Sequence, residues 1–164
     1  MVELELQRVD GERRLYALGD LGTLRLEGLM SRGATVHAGE RSWRVARRGL
    51  FGRDVEATAP DGTVVGTFAP NSLRRGGALQ WDGRELTLRP ASAWRERYAV
   101  VDGERELALL DGKSWGRTPV RIGLDDPAAL DPALLLFAAF VVRGLAEDAD
   151  AAAAAAASTA ATTT

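Results

Sequence analysis

Apolar and polar residues alternate in many short segments before residue 124. Leu24 and Leu26 are each followed by a charged residue, and Leu86 and Leu88 alternate with Thr87 and charged neighbours. A period of two is typical of strands that bury one face and expose the other. Such segments predict roughly ten to twelve short strands, the number and spacing of a barrel or a sandwich.

The dipeptide Asp-Gly separates many of these segments. It occurs five times, at residues 10–11, 61–62, 82–83, 102–103 and 111–112. Asp-Gly favours the positive φ angles of tight hairpin turns. Three stretches (59–68, 80–88 and 100–109) can be superimposed on their Asp-Gly, a weak repeat that is typical of antiparallel meanders. The chain therefore predicts consecutive hairpins.

A different pattern follows the last predicted strand. Asp131 is a good helix N-cap, and Pro132 suits the first helical position. Ten uninterrupted apolar residues then run from 133 to 142. A membrane span needs about 20 such residues, so this run predicts a buried core helix, at about residues 131–147.

A helix that is apolar on every face has to be buried on every face. A closed sheet achieves this, and a helix about 10–12 Å across fits a barrel of roughly eleven strands or more. We therefore predict one mainly β domain over residues 1–148, a closed antiparallel barrel of about twelve strands that encloses one hydrophobic C-terminal α-helix. Residues 149–164, mostly alanine and threonine, predict a disordered or frayed tail. A flavin-binding split barrel and a sandwich with a helix across one end stay open.

The order of elements also resembles a known family. A series of hairpins followed by Asp131-Pro132-Ala-Leu-Leu-Leu-Phe-Ala-Ala-Phe-Val-Val is similar to the tubby C-terminal-like superfamily, which includes the LURP-one-related proteins and the phospholipid scramblases. The likeness covers residues 1 to about 148 and involves no invariant motif. It implies a barrel of about twelve strands around a hydrophobic helix. It also implies a role for basic surface residues, because tubby domains bind phosphoinositide headgroups through a basic pocket.

Positive charge is clustered, although the net charge of −2 argues against general nucleic-acid binding. Seven candidate anion-binding residues fall in two groups: Arg41, Arg44, Arg47, Arg48 and Arg53, then Arg74 and Arg75. Arg44 and Arg48 share one predicted strand face. Leu50 and Phe51 supply an apolar tip at the following turn. Guanidinium groups bind phosphate oxygens in a bidentate way, so we predict a face that contacts an anionic membrane surface or another partner. The alternative is a solvated strand face paired with nearby acids.

The other residue types offer few candidates for catalysis or metal binding. His37 is the only histidine and is predicted to point outward from a strand. The carboxylate pairs Glu3–Glu5 and Asp54–Glu56 predict solvated strand faces. The sequence holds no cysteine and no phosphate loop, nucleophile elbow or zinc-binding helix motif. We therefore expect no catalytic residue, no metal site and no cofactor.

These observations favour a non-enzymatic binding or scaffold domain for anionic lipid headgroups or another phosphorylated ligand. Two alternatives remain, a small cofactor-binding enzyme on a split barrel and a purely structural protein-interaction module. The lack of cysteine and of an apolar leader after a basic N-terminus predicts a cytoplasmic protein without a transmembrane span.

Overall fold

The structure, a computed structural model, describes residues 1–28, 32–49 and 53–162. Within these ranges twelve strands precede a short 3-10 helix (Pro127–Ala129) and one long helix, α1 (Pro132–Thr162). The strands are β1 (Val2–Arg8), β2 (Leu15–Leu18), β3 (Gly22–Glu27), β4 (Gly33–Ala38), β5 (Arg41–Arg48), β6 (Asp54–Thr58), β7 (Val64–Pro70), β8 (Gly77–Trp81), β9 (Arg84–Pro90), β10 (Arg97–Asp102), β11 (Arg105–Gly112) and β12 (Val120–Leu124).

The strands form a closed antiparallel barrel. Each strand pairs with its neighbours along the chain, and β1 pairs with β12, so that Leu4 lies opposite Ile122. Closure removes both sheet edges, which would otherwise expose unpaired backbone groups. The predicted closed barrel is confirmed. The two alternative folds that the sequence left undecided, a split barrel and a sandwich, do not describe this sheet.

Four of the five Asp-Gly dipeptides lie in hairpin turns, as predicted. They connect β1 to β2, β6 to β7, β8 to β9 and β10 to β11. The dipeptide at 111–112 does not form a turn, because it is the end of β11. Its glycine serves a close approach instead: a Cβ on Gly112 would lie 2.5 Å from Cγ1 of Val142 in α1. At this position the absence of a side chain lets the sheet reach the helix.

Helix α1 fills the barrel. Asp131 caps it as predicted, with Oδ1 accepting a hydrogen bond of 2.9 Å from the backbone N–H of Ala133. Every residue from 133 to 142 is buried, and Phe137 has no exposed surface and lies 5.4 Å from Trp81, centroid to centroid. Burial of each large apolar side chain contributes about 1.5–3 kcal/mol. The helix is therefore the centre of the hydrophobic core.

The helix is longer than the predicted span of about 131–147, and the described part of the predicted tail, up to residue 162, is helical. Helix α1 continues to Thr162. Alanine has the highest helix propensity, so the seven alanines at 151–157 extend a helix that the barrel has already nucleated. Residues 151–162 are all exposed. They extend the helix by about 18 Å.

The barrel has two unlike ends. At the end where α1 begins, called here the entry end, adjacent strands are joined by short turns at 19–21, 39–40, 59–63, 82–83 and 103–104. At the opposite end, called the exit end because α1 leaves the barrel there, the fully described connections are longer: 9–14, 71–76, 91–96 and 113–119. Because long connections can carry binding residues on a rigid scaffold, the exit end is the better candidate for a binding site.

Candidate functional site

The structure divides the seven predicted arginines among four places. On β5, Trp43 and Val45 are buried against the core. Side chains alternate along a strand, so Arg41 and Arg47 lie on this inner side and Arg44 and Arg48 lie on the outer side. The arginines of residues 41–48 therefore do not form one face.

Arg41 lies at the entry end and holds the start of the helix. Its guanidinium donates a hydrogen bond of 2.9 Å to Oδ1 of Asp131 and lies 4.9 Å from the ring of Trp43. Oδ2 of Asp131 accepts a second hydrogen bond, of 3.2 Å, from the indole of Trp81. The positive charge of Arg41 is thus engaged by the helix cap.

Arg47 lies at the exit end and contacts the helix as it leaves the barrel. Its guanidinium lies 3.1 Å from Oδ1 of Asp148 and 3.7 Å from Oε2 of Glu147. It also packs over Gly144, where a Cβ would lie 2.4 Å from Nη2. Burial raises the pKa of the Glu147 carboxyl, and the nearby charges of Arg143 and Arg47 oppose this rise. Arg47 is therefore part of a structural ion-pair network.

Arg44 and Arg48 lie on the outer wall of the barrel and are exposed. They face Thr58 and Asp54 respectively across the β5–β6 pair. Within the described ranges neither forms an ion pair. The predicted apolar tip, Leu50 and Phe51, lies outside the described residues.

The remaining three arginines line one cavity at the exit end, called here the exit groove. It has a volume of about 570 Å³. It is lined by the β7–β8 connection, by the emerging helix, and by Tyr98 and Glu96. The lining residues are Arg53, Asn71, Ser72, Leu73, Arg74, Arg75, Gly76, Glu96, Tyr98, Leu145, Asp148, Ala149 and Ala152. The structure therefore brings together Arg53, Arg74 and Arg75.

Arg75 is the fixed member of this set. It donates hydrogen bonds of 2.7 Å to the carbonyl oxygens of Ser92 and Arg95, and it lies 3.2 Å from Oε1 of Glu96. Its guanidinium also lies 5.3 Å from the ring of Tyr98. Burial, together with a hydrogen bond to Glu96, raises the pKa of the Tyr98 hydroxyl to about 12, so this hydroxyl stays protonated at neutral pH.

Unlike Arg75, Arg53 and Arg74 are available to bind a ligand. Both side chains are exposed, and neither has an acidic partner among the residues that the structure describes. The one aspartate on the groove wall, Asp148, is bound to Arg47. The exit groove thus presents two uncompensated cations beside a third that is held in place.

The other candidate residues stay on the surface. His37 is exposed on β4, as predicted. Glu5 lies 3.2 Å from Arg121 on the neighbouring strand β12, and Glu3 is exposed. Within 1–28, 32–49 and 53–162, no group of three or more His, Cys, Asp and Glu side chains is placed to hold a metal ion. In the same ranges, no helix is long and apolar enough to span a membrane.

Three apolar residues at the exit end were not among the predicted site residues. Leu73, Trp94 and Trp115 are 94%, 95% and 71% exposed. A signal was present, because each is followed within two residues by an arginine: Leu73-Arg74, Trp94-Arg95 and Trp115-Gly-Arg117. This sequence signal can be interpreted only when the topology shows that the three connections lie at the same end of the barrel.

Comparisons of the chain with protein-family models, with curated proteins and with solved structures find no match. The function is therefore inferred from the geometry of the exit groove.

Proposed function

We propose that this protein is a non-enzymatic binding domain whose exit groove takes an anionic, phosphate-bearing group. The observation that carries the proposal is the pair Arg53 and Arg74, exposed at a groove and without an acidic partner in the described part of the chain. Two uncompensated cations repel each other, and an anion between them relieves that repulsion. Each guanidinium also offers a planar fork of donors that matches phosphate oxygens.

The rest of the groove supports the same ligand chemistry. Asn71 and Ser72 add polar side chains beside Arg74, and Arg75 is already oriented by its two carbonyl partners. The volume of about 570 Å³ lies in the usual range for small-molecule sites. The resemblance to the tubby C-terminal-like superfamily points to a phosphorylated headgroup as the ligand class.

Calorimetric titration tests the proposal with two soluble probes, inorganic pyrophosphate and inositol trisphosphate. We expect the wild-type protein to bind, and the double variant Arg53→Glu/Arg74→Glu to bind about tenfold more weakly or worse. The matched control is Arg105→Glu, which reverses an exposed arginine at the entry end and is expected to keep wild-type affinity. Wild-type protein that binds neither probe, or equal binding by the double variant, would overturn the proposal.

A further inference from the structure

Three connections at the exit end each expose a large apolar side chain to solvent. Leu73 lies in connection 71–76, Trp94 in 91–96 and Trp115 in 113–119. Single exposed apolar residues are common on soluble proteins, so these three are informative through their shared position at one end and through the cations beside them. The exposed apolar residues at the entry end are Met1 and Val2 at the chain start and Val64, which is 48% exposed.

A cation accompanies each of these three side chains. Arg74 follows Leu73, and Arg95 follows Trp94. The ammonium of Lys113 lies 5.7 Å from the ring of Trp115. The pairing of an apolar side chain with a neighbouring cation is therefore repeated on three separate connections.

The two ends of the barrel also differ in charge. The connections at the entry end, including the segment before α1, carry acids and no base: Asp20, Glu40, Asp61, Asp82, Glu104, Asp125, Asp126 and Asp131. The connections at the exit end carry three acids (Asp10, Glu12 and Glu96), and the emerging helix adds three more (Glu147, Asp148 and Asp150). Against these six stands a larger set of bases: Arg13, Arg14, Arg32, Arg53, Arg74, Arg75, Arg95, Lys113 and Arg117. This asymmetry orients the exit end toward a negatively charged surface.

We propose that the exit end docks onto an anionic membrane surface, with Trp94, Trp115 and Leu73 entering the headgroup region and the adjacent cations contacting lipid phosphates. The inference builds on the proposed function, because the exit groove opens at the same end, but it assigns different side chains. Tryptophan suits this environment, since its ring is apolar and its N–H can bond to headgroups. Each basic residue near such a surface strengthens binding about fivefold.

The spacing of the apolar residues favours a membrane over a protein partner. They belong to three separate connections instead of one continuous patch. A rigid protein would need three matching pockets, since interface anchors bind in well-packed pockets. A fluid interface needs no such complementarity. Residues 151–162 of α1 extend from the same end and carry no charge.

Vesicle binding tests the inference. The probes are vesicles of phosphatidylcholine with or without phosphatidylserine, and the variant is Trp94→Ala/Trp115→Ala. We expect the wild-type protein to sediment with the anionic vesicles and the double variant to partition roughly tenfold more weakly. Tryptophan emission should shift to the blue in the wild-type protein on vesicle binding. The double variant keeps only the buried Trp43 and Trp81 and should show no shift. Val64→Ala, at the entry end, is the matched control and should behave as wild type.

Two results would overturn the inference. The first is equal sedimentation of the double variant and the wild-type protein. The second is a wild-type protein that does not bind anionic vesicles although it binds soluble inositol trisphosphate. That result would keep the exit groove as the anion site and would assign the exposed tryptophans to a protein partner. Failure of the proposed function is a separate outcome, because it appears as loss of soluble-anion binding in the wild-type protein.

Discussion

Arg41 and Asp131 join the sheet to the helix at the point where the helix enters the barrel. The guanidinium of Arg41, at the start of β5, donates to a carboxylate that also caps α1 and accepts from the indole of Trp81. Six residues further along β5, Arg47 contacts the same helix at its exit through Asp148 and Glu147. One strand thus holds both ends of the buried helical segment.

The cap residue gives the first prediction. Replacing Asp131 by alanine removes an N-cap and leaves the partly buried indole N–H of Trp81 without its acceptor. We expect a loss of about 2–4 kcal/mol in the free energy of unfolding, measured by urea denaturation. The control is Asp126→Ala, which removes the cap of the short 3-10 helix and should have a smaller effect. Equal losses in the two variants would show that Asp131 acts only as a local cap.

The buried helix gives the second prediction. Phe137→Asp or Leu136→Asp places an unpaired charge where no surface is exposed. The expected penalty is several kcal/mol against a typical stability of about 5–15 kcal/mol, so we predict insoluble or unfolded protein. Ala155→Asp, on the exposed part of the same helix, should leave the melting temperature nearly unchanged. A soluble Phe137→Asp protein with a wild-type melting temperature would contradict the central position of the helix.

The extended end of α1 gives the third prediction. Residues 151–162 are helical but exposed, so they bury no core. Deleting residues 151–164 should change the free energy of unfolding by less than about 0.5 kcal/mol. Circular dichroism of the truncated protein should show less helix with the same thermal transition. A fall of many degrees in melting temperature would mean that this segment stabilises the barrel.

Glu147 gives the fourth prediction, which concerns pH. Burial raises its pKa above the ordinary value of 4.5, so the folded state binds a proton more readily than the unfolded state does. Stability from this group is therefore present below pH 4.5 and is lost as the pH rises through the higher folded pKa. The stability of the wild-type protein relative to Glu147→Gln should accordingly fall between acidic and neutral pH, measured by urea denaturation at several pH values. A constant difference would show that burial does not act on this carboxyl.

The sequence predicts the barrel because its signals are local and repeated. Alternation such as that of Leu86 and Leu88, turns such as Asp82-Gly83, and the Asp131-Pro132 helix start each specify one element. Strand β11 contains a feature that these local signals do not specify. Val100 pairs with Ala108 but Val101 pairs with Glu106, so Leu107 is an extra residue. This β-bulge turns Leu110 into the core in place of Leu109. The alternation of apolar and polar residues along the strand does not indicate where the bulge lies.

The site could be predicted only in part, because charge clustering in sequence is not clustering in space. Arg41 and Arg47 are close to Arg44 in sequence, but their position on the inner side of β5 brings them to Asp131, the cap of α1, and to Asp148 within α1. Arg53 and Arg74 are far apart in sequence, and closure of the barrel brings them to one groove. The helical extension past residue 147 was missed for a similar reason: an alanine run is stable as a helix only when another part of the helix is already anchored.

The most direct test of the account is a nuclear magnetic resonance titration of the full chain with inositol trisphosphate, following the arginine Nε–Hε and backbone amide signals. The account predicts saturable shifts at Arg53, Arg74 and the β7–β8 connection, with Arg44 and Arg48 on the outer wall unaffected. Shifts confined to Arg44 and Arg48, or no saturable shift at all, would contradict the assignment of the exit groove as the binding site.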